Sequence, residues 1–348
     1  MKINTHNDWD PLEEIIVGRA DYARINTDIS AHVFNYATLK HNELPPSGSY
    51  PQWVIDEANE DADGLSTVLE KLGVRVHRPK PVDWNNVEYD IGQGWKSKGW
   101  YSWSPRDLIL PLGDMLIETP CPVRARYFEN VIYEDILYEA FEDGALWLSA
   151  PKPKLHDSNY QLDDITKPTL RNNEILFDAP NIVRVGRDLL YQVSNSGNML
   201  GYKWLKRLLE PMGYRLHYSY LYSWAHFDST ILPLRPGLVL LNADRVNKDN
   251  CPEIFKSWDK IFFDDCVVQG NKIPGFPAPC SKYIGMNLLS VDENTVIVDQ
   301  TQLPLIKVLE KHNMTVIPIQ FRHGMTLAGG LHCATLDLKR RGDLHDYT

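Results

Sequence analysis

The stretch from residue 182 to residue 218, IVRVGRDLLYQVSNSGNMLGYKWLKRLLEPMGYRLHY, contains one complete copy of the unit from which we predict the fold. Two β-rich runs within residues 182–194 flank the turn Gly186-Arg187-Asp188, which predicts a β-hairpin. Residues 204–209 then follow helical spacing, and residues 214–218 return to a strand pattern. The stretch therefore predicts a hairpin, a helix and a further strand in succession.

The same order of elements recurs along the chain. We predict further hairpins at residues 108–119, 229–242 and 286–299, helices at residues 54–72, 124–143 and 305–311, and strands at residues 74–79 and 315–320. The helical segment 124–143 is predicted to bury one apolar face, formed by Phe128, Val131, Ile132, Ile136 and Phe141. About five copies of the unit predict a single α/β domain, residues 1–348, built from repeated ββαβ modules.

Composition excludes several functional classes. The 348 residues include 46 acidic and 36 basic side chains, a formal net charge of −10, so we expect no binding to nucleic acid or to an anionic membrane surface. Hydrophobic residues make up 43% of the chain and charged residues 24%, which is typical of globular proteins. No apolar stretch follows Lys2, so we expect neither a signal peptide nor a transit peptide, and a cytoplasmic location.

The cysteines predict thiols rather than a disulfide framework. Their number is odd and their spacing irregular: Cys121, Cys251, Cys266, Cys280 and Cys333. The sequence contains neither Cys-x-x-Cys nor His-Glu-x-x-His, so we predict no metal site.

The stretch LAGGLHCAT, residues 327–335, is the strongest candidate for chemistry. Gly329 and Gly330 allow unusual backbone conformations and the close approach of a ligand. Burial as a small apolar side chain is the commoner role of a cysteine, but a glycine pair is costly in an ordinary strand, which favours Cys333 as a nucleophile. A thiol with an ordinary pKa of about 8.5 is only weakly ionised at neutral pH, so it would need a nearby cation or base to become a nucleophile.

Acidic residues and one histidine supply candidate partners for this thiol. His226 and Asp228 are two positions apart at the mouth of a predicted hairpin, so in a strand both would point to one face. Asp107 and Asp178 each stand at the edge of an apolar strand, where a turn-forming role is the alternative interpretation. Together these residues indicate nucleophilic catalysis on a cationic planar carbon, such as that of a guanidinium held by carboxylates.

Five motifs in order along nearly the whole chain resemble those of the amidinotransferases, a branch of the guanidine-modifying enzymes. They are NDWDPLEEIIVG (7–18), SPRD (104–107), APKP (150–153), FDA (177–179) and GGLHC (329–333). The resemblance implies a five-bladed, pseudo-symmetric α/β-propeller, the pentein fold.

The resemblance also implies roles for single residues in a ping-pong reaction. Cys333 matches the nucleophile that attacks the guanidinium carbon of L-arginine and becomes an amidino-cysteine. His226 matches the group that protonates departing ornithine and later deprotonates the incoming amine, and Asp178 matches its carboxylate partner. No cofactor is implied, because the amidino-cysteine stores the transferred group.

Four further residues match positions that bind substrate. Asp107 and Asp228 correspond to the carboxylates that hold the guanidinium, and Arg245 and Ser281 to the residues that hold the α-carboxylate of the donor. The implied partners are thus L-arginine and an amine acceptor. Relatives suggest a homodimer as well.

The acceptor is the least determined part of the interpretation. Glycine-using family members have Asn-Pro-Met before the catalytic histidine, whereas this chain has Ser223-Trp224-Ala225. Because Ser223 and Ala225 are smaller, glycine becomes less favoured. The segments PSGSYP (46–51) and SNSGN (194–198) look like members from specialised metabolism, which include a saxitoxin-pathway enzyme and a streptomycin-pathway inosamine-phosphate enzyme.

Aromatic residues near Asp107 bear on the choice between those two. If they line the approach to Asp107, four aromatic rings favour an acceptor with an apolar alkyl chain, and hence a polyketide-derived amino ketone: Trp95, Trp100, Tyr101 and Trp103. Lys96 and Lys98 would instead suit the phosphate of an inosamine phosphate, and core packing is the structural alternative for the rings. A guanidine hydrolase, which passes the amidino group to water, and a non-catalytic binding protein are the remaining alternatives.

Overall fold

The structure is a computed structural model that describes residues 1–221 and 226–348. Its strands are β1 (Leu12–Val17), β2 (Arg24–Ile25), β3 (Gly48–Ser49), β4 (Arg75–His77), β5 (Glu88–Asp90), β6 (Lys96–Lys98), β7 (Ile109–Leu112), β8 (Met115–Glu118), β9 (Leu146–Ser149), β10 (Ile182–Val185), β11 (Asp188–Gln192), β12 (Arg215–Ser219), β13 (Ile231–Arg235), β14 (Leu238–Asn242), β15 (Asp259–Phe263), β16 (Leu289–Ser290), β17 (Thr295–Asp299), β18 (Thr315–Ile319) and β19 (Thr335–Arg340). The α-helices are α1 (Ile29–Asn35), α2 (Gln52–Lys71), α3 (Glu134–Glu142), α4 (Met199–Leu209) and α5 (Leu303–Lys311).

Three-stranded sheets of one topology dominate the described residues. Five such sheets form, in the orders β19-β1-β4, β7-β8-β9, β10-β11-β12, β13-β14-β15 and β16-β17-β18. In each, the first two strands pair antiparallel and the last two parallel. The predicted recurrence of a hairpin followed by a further strand is therefore confirmed, as is the α/β class.

Two of the five units depart from the predicted order of elements. The first strand of one sheet, β19, lies near the C-terminus and pairs with β1 near the N-terminus. This unit therefore contains no hairpin of consecutive strands. Between β14 and β15, the described residues contain the short 3₁₀ turn Glu253–Phe255 instead of an α-helix. The prediction of a helix in every module is wrong for that unit.

The helix predicted at residues 124–143 is also partly wrong. A 3₁₀ helix, Glu129–Tyr133, precedes α3, and because a 3₁₀ helix has three residues per turn it shifts the phase of the buried face. Phe128, Val131 and Phe141 are consequently exposed, at 39%, 49% and 56%. The fully buried residues of this region are instead Tyr133, Leu137 and Ala140.

The helix predicted at residues 54–72 is confirmed as α2. Its apolar face is fully buried and repeats at helical spacing: Val54, Ala58, Ala62, Leu65 and Leu69. Gly73, with φ of +85°, ends it in the left-handed conformation that favours glycine. None of the helices described is long and apolar enough to cross a lipid bilayer.

A buried carboxylate connects the sheets at their centre. Asp337 on β19 is fully buried, and guanidinium nitrogens of Arg106, Arg184 and Arg340 lie 2.8 Å from its oxygens. Burial alone would raise the pKa of Asp337, but the three arginines hold it well below its usual range. Arg184 also donates to the carbonyl of Pro111 on β7, and Arg340 to that of Ser290 on β16. One charge cluster therefore joins strands of four sheets.

Replacing Asp337 with alanine should destabilise the protein strongly. The variant leaves three guanidinium groups without their shared carboxylate, and breaking a buried ion pair costs about 3–5 kcal/mol. Urea denaturation followed by tryptophan fluorescence measures the loss. Asp135→Ala, which breaks the exposed pair with Lys80, is the control and should leave the unfolding midpoint unchanged. Equal midpoints for Asp337→Ala and the wild type would contradict the assignment.

Candidate active site

Five polar side chains occupy equivalent places, each on the turn that leads into the first strand of its sheet. They stand two to four residues before β7, β10, β13, β16 and β19, and they are Asp107, Asp178, Asp228, Asn287 and Cys333. The strands fix these turns rigidly, and the contacts described below show that the side chains meet. The repeated topology thus gathers one polar group from every sheet.

Cys333 lies in the middle of this group. Its side chain is buried, with Sγ 3.1 Å from Oδ2 of Asp228 and 3.2 Å from Nδ2 of Asn287. Burial and the negative charges of Asp228 and Asp107 raise the pKa of the thiol well above its ordinary value. Cys333 is therefore a thiol whose S–H group donates a hydrogen bond to Asp228.

Asn287 fixes the turn that carries the thiol. Its Oδ1 accepts hydrogen bonds from the backbone N–H groups of His332 (2.8 Å) and Cys333 (3.0 Å). Its Nδ2 also donates to the carbonyl of Asp228 at 3.2 Å. One amide therefore connects the turn of the thiol to that of its carboxylate partner. The sequence analysis missed this residue, although it stands at the start of the predicted 286–299 hairpin, much as Asp107 immediately precedes the 108–119 hairpin.

The glycine pair before Cys333 serves this packing. Neither glycine has a positive φ. A Cβ atom on Gly330 would lie 2.6 Å from the side chain of Asn287, and one on Gly329 would lie 2.8 Å from Oγ of Ser104. The close approach expected for a ligand is thus made by the protein's own side chains.

His226 lies between two carboxylates. Its Nε2 is 3.0 Å from Oδ2 of Asp178, and its Nδ1 is 3.6 Å from Oδ1 of Asp107. Burial lowers the pKa of the imidazole, but the two carboxylates outweigh it and raise that pKa to about 9. The residue is therefore an imidazolium at neutral pH.

The local structure of this segment differs from the prediction. His226 is extended and Asp228 belongs to the 3₁₀ turn Phe227–Ser229, because β13 begins only at Ile231. The strand alternation expected for the pair is therefore wrong. Both side chains nevertheless line one cavity. Asp228 meets Cys333 and Nδ1 of His332 (3.3 Å), whereas His226 meets Asp107 and Asp178.

Asp107 forms an ion pair with a buried arginine. Oδ2 of Asp107 pairs with Nη1 of Arg126, whose Nη2 lies 2.7 Å from Glu129. Burial raises the pKa of Asp107 against the opposing charge of Arg126, and burial raises the pKa of Glu129 to about 7. Oδ1 of Asp107 accepts no hydrogen bond from the described residues and faces His226. The sequence analysis found neither Arg126 nor Glu129.

A cavity opens beside the thiol. It is lined by Phe34, Asn35, His226, Asp228, Ser229, Arg245, Pro279, Cys280, Ser281, Ile284, Ala328 and Cys333. The structure thus brings Arg245 and Ser281 to the same space as Cys333, with Nη2 of Arg245 3.2 Å from Oγ of Ser281. Asp107 and Asp178 are not among these lining residues, but both contact His226, which is. Ser223 and Ala225 fall outside the described residues.

The aromatic cluster before Asp107 does not form the cavity wall. All four rings are at most 6% exposed: Trp95, Trp100, Tyr101 and Trp103. Lys96 pairs with Asp90 at 3.2 Å, on the exposed hairpin β5-β6. Of the two roles considered for these rings, the structure shows core packing, and none of the four lines the cavity beside Cys333.

The remaining thiols and the acidic groups give no metal cluster. All five cysteines are free of disulfides. Within residues 1–221 and 226–348, no group of three or more His, Cys, Asp or Glu side chains is arranged to hold a metal ion.

Comparisons with known proteins show the family of the chain. No family model matches the chain. Inosamine-phosphate amidinotransferase 1 from Streptomyces glaucescens is 46% identical over 348 residues, 99% of this chain and 99% of that enzyme. The solved structure of the inosamine-phosphate amidinotransferase from Streptomyces griseus superposes with a TM-score of 0.95 at 44% identity, over 99% of each chain. SxtG, an amidinotransferase of the saxitoxin pathway from Microseira wollei, gives 0.91 at 36% identity, over 99% of each chain.

These likenesses extend over the full length of the relatives. The chain belongs to the amidinotransferase family. It is therefore an enzyme, a transferase of amidino groups, and the resemblance found in its five motifs is confirmed.

Alkylation of Cys333 should depend steeply on pH in the free enzyme. Because the pKa of the thiol is raised, the reactive thiolate is scarce at pH 7 and the rate should rise about tenfold per pH unit between pH 7 and pH 9. Asp228→Asn removes one charge that raises this pKa, so its rate at pH 7 should be at least about tenfold higher. Iodoacetamide labelling with peptide mass spectrometry measures both, with half-buried Cys251 as internal reference. A rate for Cys333 that is flat from pH 7 to pH 9 would show a thiolate already formed.

Proposed function

We propose that the protein is an L-arginine:amine amidinotransferase that works through an amidino-cysteine on Cys333. One observation carries the proposal: a protonated histidine and a cysteine held by Asn287 and Asp228 face one cavity that also holds Arg245. His226 supplies and recovers protons, Asp178 orients it, and Asp107 and Asp228 receive the guanidinium.

Binding of the donor activates the nucleophile. Although burial opposes it, the hydrogen bond from His332 and the charge of His226 hold the pKa of Asp228 well below its usual range, so this carboxylate is anionic in the cavity. A guanidinium placed against Asp228 and the free oxygen of Asp107 neutralises the charges that keep the thiol protonated. The pKa of Cys333 then falls, its proton leaves to solvent, and Nδ2 of Asn287 donates to the thiolate.

The first half-reaction follows from these positions. The sulfur of Cys333 forms a bond to the central guanidinium carbon of arginine, and that carbon becomes tetrahedral. His226 gives its proton to the nitrogen that carries the ornithine chain, the carbon–nitrogen bond breaks, and ornithine leaves. The amidino group remains on sulfur as a cation opposite Asp228, and His226 is left neutral.

The second half-reaction reverses the proton flow. The acceptor loses its ammonium proton to solvent and attacks the amidino carbon as a free amine, while neutral His226 takes a second proton from the attacking nitrogen. The carbon–sulfur bond then breaks, the guanidinylated product leaves as a guanidinium, and the thiolate of Cys333 regains its proton from solvent. No step requires a cofactor, because the thiol stores the group between the two halves.

For the acceptor, we place an inosamine phosphate first. Identities of 46% and 44% to inosamine-phosphate amidinotransferases exceed the 36% to SxtG, and the buried tryptophans no longer favour an alkyl chain. A polyketide-derived amino ketone of a saxitoxin-like pathway is the second candidate. Glycine and water, the latter making the enzyme a guanidine hydrolase, are the weaker alternatives.

We further propose that residues 1–348 act as one domain in which the five sheets close into a five-bladed α/β-propeller. Support comes from the common topology of the sheets and from contacts between their first strands, β19 with β7 and β10 with β13. The homodimer and the cytoplasmic location stay predictions.

Arginine alone should leave an amidino group on the enzyme. Incubation without acceptor should release about one equivalent of ornithine and add the mass of one amidino group to the peptide that contains Cys333. Cys333→Ala should do neither, while Cys280→Ala, which changes another thiol of the cavity wall, should still form the adduct. If the wild type forms no adduct under turnover conditions, the covalent mechanism fails.

The acceptor is identified by direct competition. With arginine as donor, kcat/KM for an inosamine phosphate should exceed that for an amino ketone or for glycine by at least about tenfold, measured as guanidinylated product by mass spectrometry. Ornithine should appear continuously only when an amine is present. Continuous ornithine with urea in the absence of an amine would assign a hydrolase instead.

A further inference from the structure

Arg245 is the one lysine or arginine among the described residues that line the cavity, and residues 222–225 add none by sequence. Its guanidinium is held by neutral groups. Nη1 donates to Oγ1 of Thr230 at 2.8 Å and to Oγ of Ser229 at 3.2 Å, and Nη2 donates to Oγ of Ser281 at 3.2 Å. The guanidinium also packs on the ring of Tyr283, 4.9 Å from the ring centre.

No described carboxylate forms an ion pair with Arg245, in contrast to Arg106, Arg126 and Arg184. Burial lowers the pKa of Arg245 to about 10, which still leaves it charged at neutral pH. A positive charge that is fixed in a cavity wall and forms no ion pair with a described carboxylate is suited to bind an anionic group of a ligand.

In a ping-pong cycle, the donor and then the acceptor can each bind to the charge of Arg245. Ornithine leaves before the acceptor enters, so the place of the donor carboxylate is empty while the amidino group waits on Cys333. His226, the other cationic residue of the wall, already faces Asp107 and Asp178. An acceptor that carries an anion therefore meets Arg245 as its available counter-charge.

We propose that Arg245 and Ser281 form a single anion site that is used twice, first by the α-carboxylate of the donor and then by the phosphate of the acceptor. This inference rests on the proposed function. The enzyme then selects acceptors that carry an amine and an anionic group at opposite ends, with the amine directed to Cys333 and the anion to Arg245. A neutral amino ketone lacks the second group and gains nothing from Arg245.

The experiment separates the two half-reactions. Wild type, Arg245→Gln and Lys282→Gln are each loaded with the amidino group from agmatine, which is arginine without its carboxylate, and desalted. Lys282 is the matched control because its Nζ lies 4.9 Å from the centre of the same Tyr283 ring but it does not line the cavity. Each loaded enzyme is then mixed with an inosamine phosphate or with the same inosamine without phosphate, and loss of the adduct is followed by mass.

The wild type and Lys282→Gln should react with the phosphorylated acceptor about 10- to 100-fold faster than with the unphosphorylated one, as expected for hydrogen bonds to a charged group. Arg245→Gln should lose most of this preference and should also lose its preference for arginine over agmatine in the loading step. Arg245→Lys, which keeps the charge without the planar fork, should fall between them. Equal loading of wild type and Arg245→Gln by agmatine shows that the variant is folded.

Two results would overturn the shared site. One is an unchanged phosphate preference in Arg245→Gln, which would place the phosphate elsewhere. The other is a wild type that does not distinguish the two acceptors. Failure of the proposed function is recognised separately, because neither arginine nor agmatine would then load Cys333.

Discussion

The buried carboxylate of Asp337 is the constraint on which both the fold and the site depend. Three guanidinium groups share this carboxylate. One of them belongs to Arg106, the residue immediately before Asp107. Nε of Arg106 also donates to the carbonyl oxygens of His332 (2.7 Å) and Thr335 (2.9 Å), on either side of Cys333. The side chain of Arg106 therefore joins Asp337 to the turn that carries Cys333, the proposed nucleophile, and stands next to Asp107, a proposed guanidinium-binding carboxylate.

The charges around Cys333 explain why its side chain is a thiol. His226 and Arg126 are the cations that the described residues place next to Asp107 and Asp178, and burial together with the charges of Asp228 and Asp107 favours the neutral form of Cys333. In the mechanism proposed above, a cationic guanidinium would neutralise these negative charges and so produce the thiolate once the substrate is in place. The same charges would attract the guanidinium, so binding and activation would have one physical cause.

The sequence predicts the local elements well and the assembly less well. The turn at residues 186–188 and the apolar face of α2 are determined by neighbouring residues, and both are confirmed. The exposed Phe128 and Val131 were misassigned because a change from α to 3₁₀ geometry is not visible in the spacing of apolar residues. The pairing of β1 with β19 joins opposite ends of the chain, and no local pattern could predict it.

The candidate site shows the same division. Cys333 and its acidic partners stand in motifs that can be recognised, and the structure brings them together. Asn287 lies in no motif and has an unremarkable side chain, and its role becomes visible only when its four contacts are seen. The aromatic residues around Trp100 show the converse case. Their closeness in sequence to Asp107 suggested that they could line the substrate cavity, but their rings are packed in the core.

The architecture separates chemistry from specificity. Each of the five side chains stands on a turn next to the first strand of a sheet, and Asp107, Asp228 and Asn287 act on the thiol through charge or a hydrogen bond. The outer wall of the cavity comes instead from a short helix and from loops, with Phe34 on α1, Cys280 and Ala328. Phe34 packs against the ring of His226, with centroids 5.5 Å apart, and is supported edge-on by Trp100. Substitutions in this wall can therefore reshape the cavity while the groups proposed to move the amidino group stay in place.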